Sequence, residues 1–416
     1  MKEGKGLDIS ELVSVRDSYV SEFSDFANKN LISNGDRWSI KPRGLENRTL
    51  VTDISLLESP KLLDEYFSRI GLRPVKPRAV VPGHQTTIFT TAGIQVLEDV
   101  IHHELPLPTA PLFVSQPSIR TQFMERVGEG TSTSFVNLSS EIVNPSIMQH
   151  FETMAQWISF LELLGIKAED LNLTTKESEP EWGNLKFNNF VIKVHYKGVE
   201  IGDVVYIYGI PQKGRSPLSV SDIGFGLDRI RWLLTGESYL GRFNPQGNTD
   251  WDPDITVIDG VRTQALLIGS GLKPSNKDAG FQLRQFSKNV VACAPGHVGN
   301  LAQIFTHNYD MWAIWNTMTV GKDAALQVFL KEAERGFNAL LLGKLAPGHS
   351  DIGIDINLPT AKLLKLLRGT SVRKNELDAT RTVLISSALA EGGGLIIGSS
   401  ETTPDKLNET ALAVPL

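Results

Sequence analysis

The sequence predicts an α+β protein in which an antiparallel sheet flanked by helices is followed by an α-helical region. Residues 187–196 alternate between apolar and polar types, as in a strand with one solvated face. A second strand-like run at 199–208 follows after only Lys197 and Gly198, which indicates a meander and not βαβ repetition. Beyond about residue 250 most of the chain is predicted to be helical.

Composition is that of an ordinary globular protein. The 416 residues are 41% hydrophobic and 21% charged, enough for a sizeable core and two or more domains. No apolar stretch approaches the roughly 18 residues of a membrane span, and the N-terminus lacks a signal-peptide pattern. We therefore expect a cytoplasmic protein with no membrane partner. The single cysteine, Cys293, excludes an intramolecular disulfide and a cysteine-based zinc site.

Charge gives little support for a nucleic-acid partner. The formal net charge is −6, whereas proteins that bind a long polyanion usually carry a basic excess. The acidic balance permits such a partner but does not indicate one.

The elements before the sheet follow from local patterns. Residues 1–58 mix short apolar patches with turn residues, and we interpret them as an N-terminal extension that packs on the core or forms dimer contacts. Helical spacing predicts helices over 62–70, 94–103 and 147–164. The third carries an aromatic and methionine stripe that includes Met148, which is typical of a buried core face.

The chain divides near a turn-rich segment at 241–247. We expect the extension at 1–58, a sheet-containing domain at 59–240 and a mostly helical region at 250–416. The clearest helix of the last region is predicted over 326–342.

The stretch Ser221-Asp222-Ile223-Gly224-Phe225-Gly226-Leu227-Asp228-Arg229-Ile230 predicts a strand that turns into a helix presenting an arginine. Its two glycines allow close backbone approach, and Asp228 suits a helix N-terminus. On these residues alone, a surface Arg-Asp pair at an ordinary strand-to-helix corner is an equally good interpretation.

Other segments favour a family resemblance. The segment 115–120, Ser-Gln-Pro-Ser-Ile-Arg, precedes 134–138, Ser-Phe-Val-Asn-Leu, and with Gly-Phe-Gly-Leu-Asp-Arg it resembles motifs 2 and 3 of class II aminoacyl-tRNA synthetases. The chain is similar above all to alanyl-tRNA synthetases. Further matches in the same order lie at 89–94, 200–205, 259–262 and 274–284. Together the matches extend over about residues 60–345.

The resemblance implies a class II synthetase-like catalytic domain at 59–240 that activates an amino acid with ATP. By this resemblance, Arg120 bridges the amino-acid carboxylate and the α-phosphate, and Arg229 holds the outer phosphates. Arginine suits both roles because its planar guanidinium binds oxyanions in a bidentate manner. Phe135 matches the aromatic residue that stacks on adenine. Gly226 lies in the ATP-binding motif that contains Arg229.

The resemblance also implies Mg²⁺ as a second cofactor beside ATP. Glu200 and Asp203 match metal-ligand positions, although Asp203 replaces the asparagine of the family. Two carboxylates are adequate for Mg²⁺ because substrate phosphates and water complete its octahedron.

The amino acid implied by the resemblance is L-alanine. Asp222 matches the acidic residue that pairs with the substrate ammonium, and Gly224 lies next to it in the motif. Trp182 and Val205 match the two residues that enclose the alanine methyl group. Such a wall excludes larger side chains. It discriminates only weakly between amino acids that differ by one methylene, because one methylene alters binding by only about 1–3 kcal/mol.

The helical region departs from the family. Residues 284–289 read Arg-Gln-Phe-Ser-Lys-Asn where the family has Arg-Arg-x-x-Arg-Arg, and 277–279 read Lys-Asp-Ala in place of Glu-x-Arg. Fewer phosphate-reaching arginines predict weaker binding of tRNA. The editing domain, with its histidine and cysteine zinc signature, and the C-terminal domain of the family are not matched.

Three functions remain open at this point. The first is transfer of the activated amino acid to a nucleoside or other small-molecule acceptor in a biosynthetic pathway. The second is a truncated, editing-free alanyl-tRNA synthetase that charges tRNA. The third is a non-catalytic alanine or adenylate sensor, against which the joint presence of Arg120, Glu200, Asp222 and Arg229 argues. A homodimer through motif 1 is left open.

Overall fold

A computed structural model describes residues 9–35, 37–41, 53–82, 87–102, 105–122, 124–128, 130–183, 185–212, 216–245, 252–294 and 298–345, with the side chains of 9, 125, 298 and 337–345 left out. The chain divides into two compact units, one made of Met1–Arg120 with Phe135–Tyr239 and the other of Thr121–Ser134 with Leu240–Leu416. The second unit thus takes one segment from within the predicted sheet domain.

The strands of the described residues fall into a nine-stranded sheet and a small hairpin. They are β1 (Leu31–Asn34), β2 (Arg37–Ile40), β3 (Arg73–Pro74), β4 (Leu112–Ile119), β5 (Ser134–Val143), β6 (Leu171–Ser178), β7 (Glu181–Trp182), β8 (Leu185–Lys186), β9 (Asn188–Tyr196), β10 (Val199–Ile210) and β11 (Leu218–Gly226). The sheet order is β1-β2-β6-β9-β10-β11-β5-β4-β3, and β7 pairs only with β8.

The sheet is largely antiparallel. The predicted meander is confirmed, because β9 and β10 pair antiparallel from Tyr196↔Val199 onward. Lys197 and Gly198 connect them with φ angles of 49° and 81°. Two successive residues with positive φ form the tight turn that suits the right-handed twist of a hairpin. In contrast, the two-residue strand β3 runs parallel to β4.

The N-terminal segment contributes to this sheet. Helix α1 (Ile9–Asn30) leads into the hairpin of β1 and β2, which pairs with β6 through Trp38 and Ser39. Tyr19 of α1 stacks on Phe190 of β9 with ring centroids 4.0 Å apart. The predicted extension therefore packs on the sheet, as one of its two interpretations expected.

Helices α2 (Pro60–Arg69) and α4 (Ile147–Leu163) agree with two of the predicted helices. Trp157 of α4 is fully buried and stacks on Phe225 of β11 with centroids 4.9 Å apart. The placement of Met148 in the buried stripe was wrong, since its exposed fraction is 52%. Met148 lies on the exposed face of α4 with Glu152 and Ser159, whereas His150 in the same turn is buried.

The predicted helix over 94–103 is correct in position but not in form. A 3₁₀ helix covers Gly93–Leu97, and only Glu98–Ile101 (α3) is α-helical. The Gln95 side chain accepts hydrogen bonds from the backbone N–H groups of Thr91 and Ala92 at 2.5 and 3.2 Å. This side chain therefore satisfies backbone groups where a longer helix would begin. His103 lies outside the described residues.

The second unit is helical, as predicted. Its helices are α6 (Ile255–Gly269), α7 (Asp278–Cys293), α8 (Val298–Trp315) and α9 (Lys322–Leu345), and α5 (Leu227–Thr235) belongs to the first unit. Arg262 of α6 lies against the rings of Phe243 and Trp312, at 3.8 and 4.7 Å from their centroids. The α+β class with an antiparallel sheet followed by helices is thus confirmed. None of the described helices is long and apolar enough to cross a membrane.

Candidate active site

Several of the predicted site residues share one face of the nine-stranded sheet. Side chains alternate along a strand, so Asp222, Gly224 and Gly226 of β11 face the same side. Asp203 of β10 is the cross-strand partner of Gly224, and Val205 is the partner of Asp222. All of these residues belong to the first unit.

Arg120 stands at the end of a fully buried strand. All eight residues of β4 are buried, and Arg120 follows directly. Its Nε donates to the carbonyl oxygen of Thr91 at 2.9 Å, and its guanidinium carbon lies 5.0 Å from the centroid of the Phe135 ring. The two residues predicted to bind ATP through charge and stacking are therefore neighbours. The segment 89–94, matched on sequence grounds, helps to orient Arg120.

Arg229 enters from the first turn of α5. Its Nη1 donates to the carbonyl oxygen of Glu200 at 2.8 Å. Burial lowers the pKa of Arg120, and the positive charge of Arg229 lowers that pKa further, whereas Asp203, Asp222 and Glu200 raise it. The two guanidinium groups therefore lie close enough to interact, with three carboxylates around them.

Glu200 and Asp203 share a face because the strand is irregular between them. Residues three apart on a regular strand point to opposite faces. A register shift between Glu200 and Gly202 places an extra residue in β10 relative to β9, which is a β-bulge. As a result Glu200 pairs with His195 and Asp203 with Lys193.

Lys193 adds a third cation to this face. Its Nζ lies 2.5 Å from Glu200 Oε2, and both side chains are about one-third exposed. Burial raises the pKa of Asp203, while Arg120, Lys193 and Arg229 lower it. Within the part of the chain that the structure describes, no group of three or more His, Cys, Asp or Glu side chains is arranged to hold a metal ion. Glu200 and Asp203 are a two-carboxylate set, which fits Mg²⁺ only together with ligands from substrate and water.

Asp222 faces a second acidic residue that the sequence reasoning missed. Glu141 of β5 is its direct cross-strand partner. Ser139 Oγ lies 2.5 Å from Glu141 Oε1 and 3.2 Å from Asp222 Oδ1. Burial, together with the negative charge of Asp203, raises the pKa of Asp222 to about 7. Burial also raises the pKa of Glu141 well above its usual value.

Gly93 packs against Ser139 and Glu141, next to this carboxyl pair. A Cβ atom at Gly93 would lie 2.2 Å from Ser139 Cβ and 3.3 Å from Glu141 Oε1. The Gly93 amide donates to Asn137 Oδ1 at 2.8 Å. The 3₁₀ helix thus packs directly on β5, which only a residue without a side chain permits.

The apolar side of the site is formed by one hydrophobic cluster. Val205 is buried in it together with Leu97, Val191 and Val220, and Trp182 packs against it with part of its ring exposed. The structure therefore brings Trp182 and Val205 into the same cluster, and Val205 lies opposite Asp222. An acidic group beside an apolar wall suits a small amino acid.

Several residues of this face escaped the sequence reasoning. Lys193 falls on the polar side of the strand predicted within 187–196, which was expected to be solvated, and no role was predicted for Ser139 or Glu141. A signal was present, because Phe135, Asn137, Ser139 and Glu141 occupy alternate positions of β5. That period of two places them on the same face of the sheet as Asp222 once β5 is paired with β11.

Comparison with known proteins agrees with the family resemblance. The chain is 26% identical over 304 residues to an alanine–tRNA ligase of Aeropyrum pernix, covering 56% of this chain and 33% of that protein. It is 29% identical over 198 residues to an alanine–tRNA ligase of Pyrobaculum arsenaticum, covering 44% and 21%. An alanine–tRNA ligase of Methanosphaera stadtmanae is 34% identical over 137 residues, covering 31% and 15%.

These matches confirm that the chain is similar to alanyl-tRNA synthetases, as its motifs predicted. The chain spans a third or less of the length of these relatives. No protein-family model matches the chain.

Proposed function

We propose that this protein activates a small amino acid, L-alanine above all, by joining its carboxylate to the α-phosphate of ATP with release of pyrophosphate. The observation that carries the proposal is that Arg120 and Arg229 lie close enough for their charges to interact, beside Glu200, Asp203 and Asp222. Similarity to alanine–tRNA ligases supports the same conclusion.

Fixed cations are what this reaction requires. The attacking carboxylate and the phosphate are both anions, so their approach is opposed unless positive charge is already in position. Arg120 binds the carboxylate and the α-phosphate together, and its contact with Phe135 suits an adenine stacked on that ring. Arg229 holds the leaving pyrophosphate. Because Thr91 and Glu200 carbonyls already orient the two guanidinium groups, little reorganisation is needed when ATP binds.

Glu200 and Asp203 would hold Mg²⁺, which neutralises phosphate charge when bound. Their carboxylate oxygens suit a hard cation, and the bulge in β10 gives them a common face. Gly226 next to Arg229 leaves the end of β11 open toward the phosphates.

Asp222 receives the substrate ammonium, while Trp182 and Val205 enclose the methyl group. The close position of a carboxylate and an apolar wall supports an α-amino acid with a small neutral side chain. Gly224 adds no side chain to the floor between Asp222 and Gly226.

The test is ATP–pyrophosphate exchange with each of the twenty standard amino acids, repeated for Arg229→Ala. Exchange that depends on alanine and is lost in the variant supports the proposal. Absence of exchange with every amino acid, in the presence and absence of unfractionated tRNA and nucleosides, would refute amino-acid activation.

For the acceptor, we propose a small molecule such as a nucleoside. The substitutions at 277–279 and 284–289 support this choice, and Arg284 is paired with Glu332 at 3.4 Å. Charging of tRNA is the second candidate, because the relatives are named alanine–tRNA ligases. Radiolabelled alanine followed into tRNA and into nucleosides separates the two. Stable label in tRNA would overturn the small-molecule choice and leave the activation step intact.

A further inference from the structure

The carboxyl group of the buried Glu141 and that of the partly exposed Asp222 form a pair with too few hydrogen-bond donors. Glu141 is fully buried, and its Oε2 has no hydrogen-bond partner within the described residues. The Ser139 hydroxyl carries one proton and lies near two acceptors, Glu141 Oε1 at 2.5 Å and Asp222 Oδ1 at 3.2 Å. A single hydroxyl proton cannot serve both oxygens at once.

A proton on Glu141 would supply the missing donor. The two residues are direct cross-strand partners, and their carboxyl groups lie close together because both approach the same Ser139 hydroxyl. Two ionised carboxylates at this distance would repel, and an unpaired charge on the fully buried Glu141 would be costly. A neutral Glu141 removes the repulsion and gives the orphan oxygen a role as donor.

We propose that Glu141 is protonated and donates a hydrogen bond to Asp222, so that the pair offers one negative charge to a substrate ammonium. This rests on the proposed function, in which Asp222 receives that ammonium. Glu141 is thus a positioning residue, since it acts on the substrate through Asp222. The matching substrate class is an amino acid with one ammonium group and a neutral side chain.

The surroundings favour this distribution of the proton. Asp203 on β10 adds negative charge near both groups. The positive charge of Arg120 lowers the pKa of Asp222 and so favours its ionised form. The 3₁₀ helix Gly93–Leu97, which seals the pair, has no ionisable side chain. Burial raises the pKa of Glu141 well above its usual value. Positive charge therefore favours ionisation of Asp222, and no cation among the described residues is named as acting comparably on Glu141.

Two variants of similar volume test the proposal. Glu141→Gln keeps an N–H donor without charge, whereas Glu141→Met fills the space without a donor. We expect the KM for alanine in ATP–pyrophosphate exchange to stay within about threefold for Gln and to rise at least about tenfold for Met, as for loss of a hydrogen bond to a charged group. The KM for ATP should change little in both. Equal behaviour of the two variants would indicate packing alone, and a large rise for Gln would indicate that Glu141 acts as an anion; either result overturns the proposal.

Infrared spectroscopy gives a readout that does not depend on activity. At a pH well above the raised pKa of Asp222, the wild-type protein should show a protonated-carboxyl band that is absent from Glu141→Gln and retained in Glu200→Gln. If wild type shows no exchange but has this band, and the band is lost in Glu141→Gln, the proposed function fails and the protonation of Glu141 stands. If exchange depends on alanine but no such band is lost in Glu141→Gln, the protonation of Glu141 is refuted and the function stands.

Discussion

Arg229 donates a hydrogen bond from Nη1 to the carbonyl oxygen of Glu200 at 2.8 Å, which ties the start of α5 to the strand that carries both proposed metal ligands. Arg229→Ala removes this tie and the proposed pyrophosphate clamp together. We expect ATP–pyrophosphate exchange to fall by roughly 10²–10³-fold, as when one preorganised charge-stabilising donor is lost.

The matched control is Arg231→Ala, which removes the same charge from the same helix. Within the part of the chain that the structure describes, Arg231 pairs with Glu58 and Glu237. Exchange by this variant should stay within about twofold of wild type, as for most substitutions away from a site. An equal loss in both variants would trace the effect to the stability of α5.

Exchange should depend on pH through Asp222. Its pKa is raised to about 7, so the carboxylate that binds the ammonium is mostly protonated below that pH and ionised above it. The KM for the amino acid should therefore fall as pH rises through 7, and at about one pH unit below the pKa it should be roughly tenfold above its alkaline limit. The KM for ATP in the same assays controls for a general effect. A flat profile for the amino acid would contradict this assignment.

Gly93→Ala should destabilise the protein because its new methyl group would meet Ser139 Cβ at 2.2 Å. A clash of this kind in a packed region costs about 1–3 kcal/mol in the free energy of unfolding. Chemical denaturation measures the change. Gly321→Ala is the control, since a Cβ there has no heavy atom within 4 Å. If both substitutions were equally mild, the 3₁₀ helix would have to be free to move off β5.

Lys193→Met tests the balance of charge around Glu200. The ammonium of Lys193 lies 2.5 Å from Glu200 Oε2 and competes with a metal ion for that oxygen. Its loss should lower the Mg²⁺ concentration at half-maximal exchange by several-fold, in line with a charge-assisted hydrogen bond of about 1.5–3 kcal/mol that is partly screened at this exposure. A rise in the KM for ATP with no change in Mg²⁺ dependence would instead identify Lys193 as a phosphate ligand.

Trp182→Ala should relax selection of the amino acid side chain. Trp182 packs against the cluster that contains Val205, so its removal opens the apolar wall. Each methylene accommodated is worth about 1–3 kcal/mol, and we expect 2-aminobutyrate and valine to gain exchange relative to alanine by roughly 10-fold or more. Lys186→Ala on the same small hairpin is the control, because Lys186 is highly exposed and paired with Glu181. Unchanged selectivity in Trp182→Ala would place the side-chain wall elsewhere.

The sequence predicts the sheet best where a local turn signal lies between two strand patterns that pair with each other. Lys197 and Gly198 could be identified as a turn because few residues separate two strand patterns and Gly favours positive φ. Helix α1 was not predicted, because the segment was interpreted as short apolar patches; its buried and half-buried face in fact recurs every three or four residues, at Leu12, Val15, Tyr19, Phe23 and Phe26. The shortening of the 94–103 helix depends on Gln95 and on contact of Gly93 with β5, which no helical pattern records.

The candidate site shows the same division. Arg120, Asp222 and Arg229 lie in segments whose order could be matched to a family, so their presence on one face could be expected. Glu141 escaped because its importance depends on the register of β5 against β11, which is set by long-range pairing.

The bulge in β10 makes the spacing of the chain as important to the site as the identity of its residues. Without the bulge, Ile201 would take a regular strand position and Glu200 would lie three positions from Asp203, on the opposite face. Glu200 would then turn from the charged face toward the side of the sheet where Trp157 and Phe225 pack, and an ionised carboxylate would be unsuited to that environment. A protein that retained every acidic and basic side chain of the site would thus lose one of its two proposed metal ligands if only the bulge were lost.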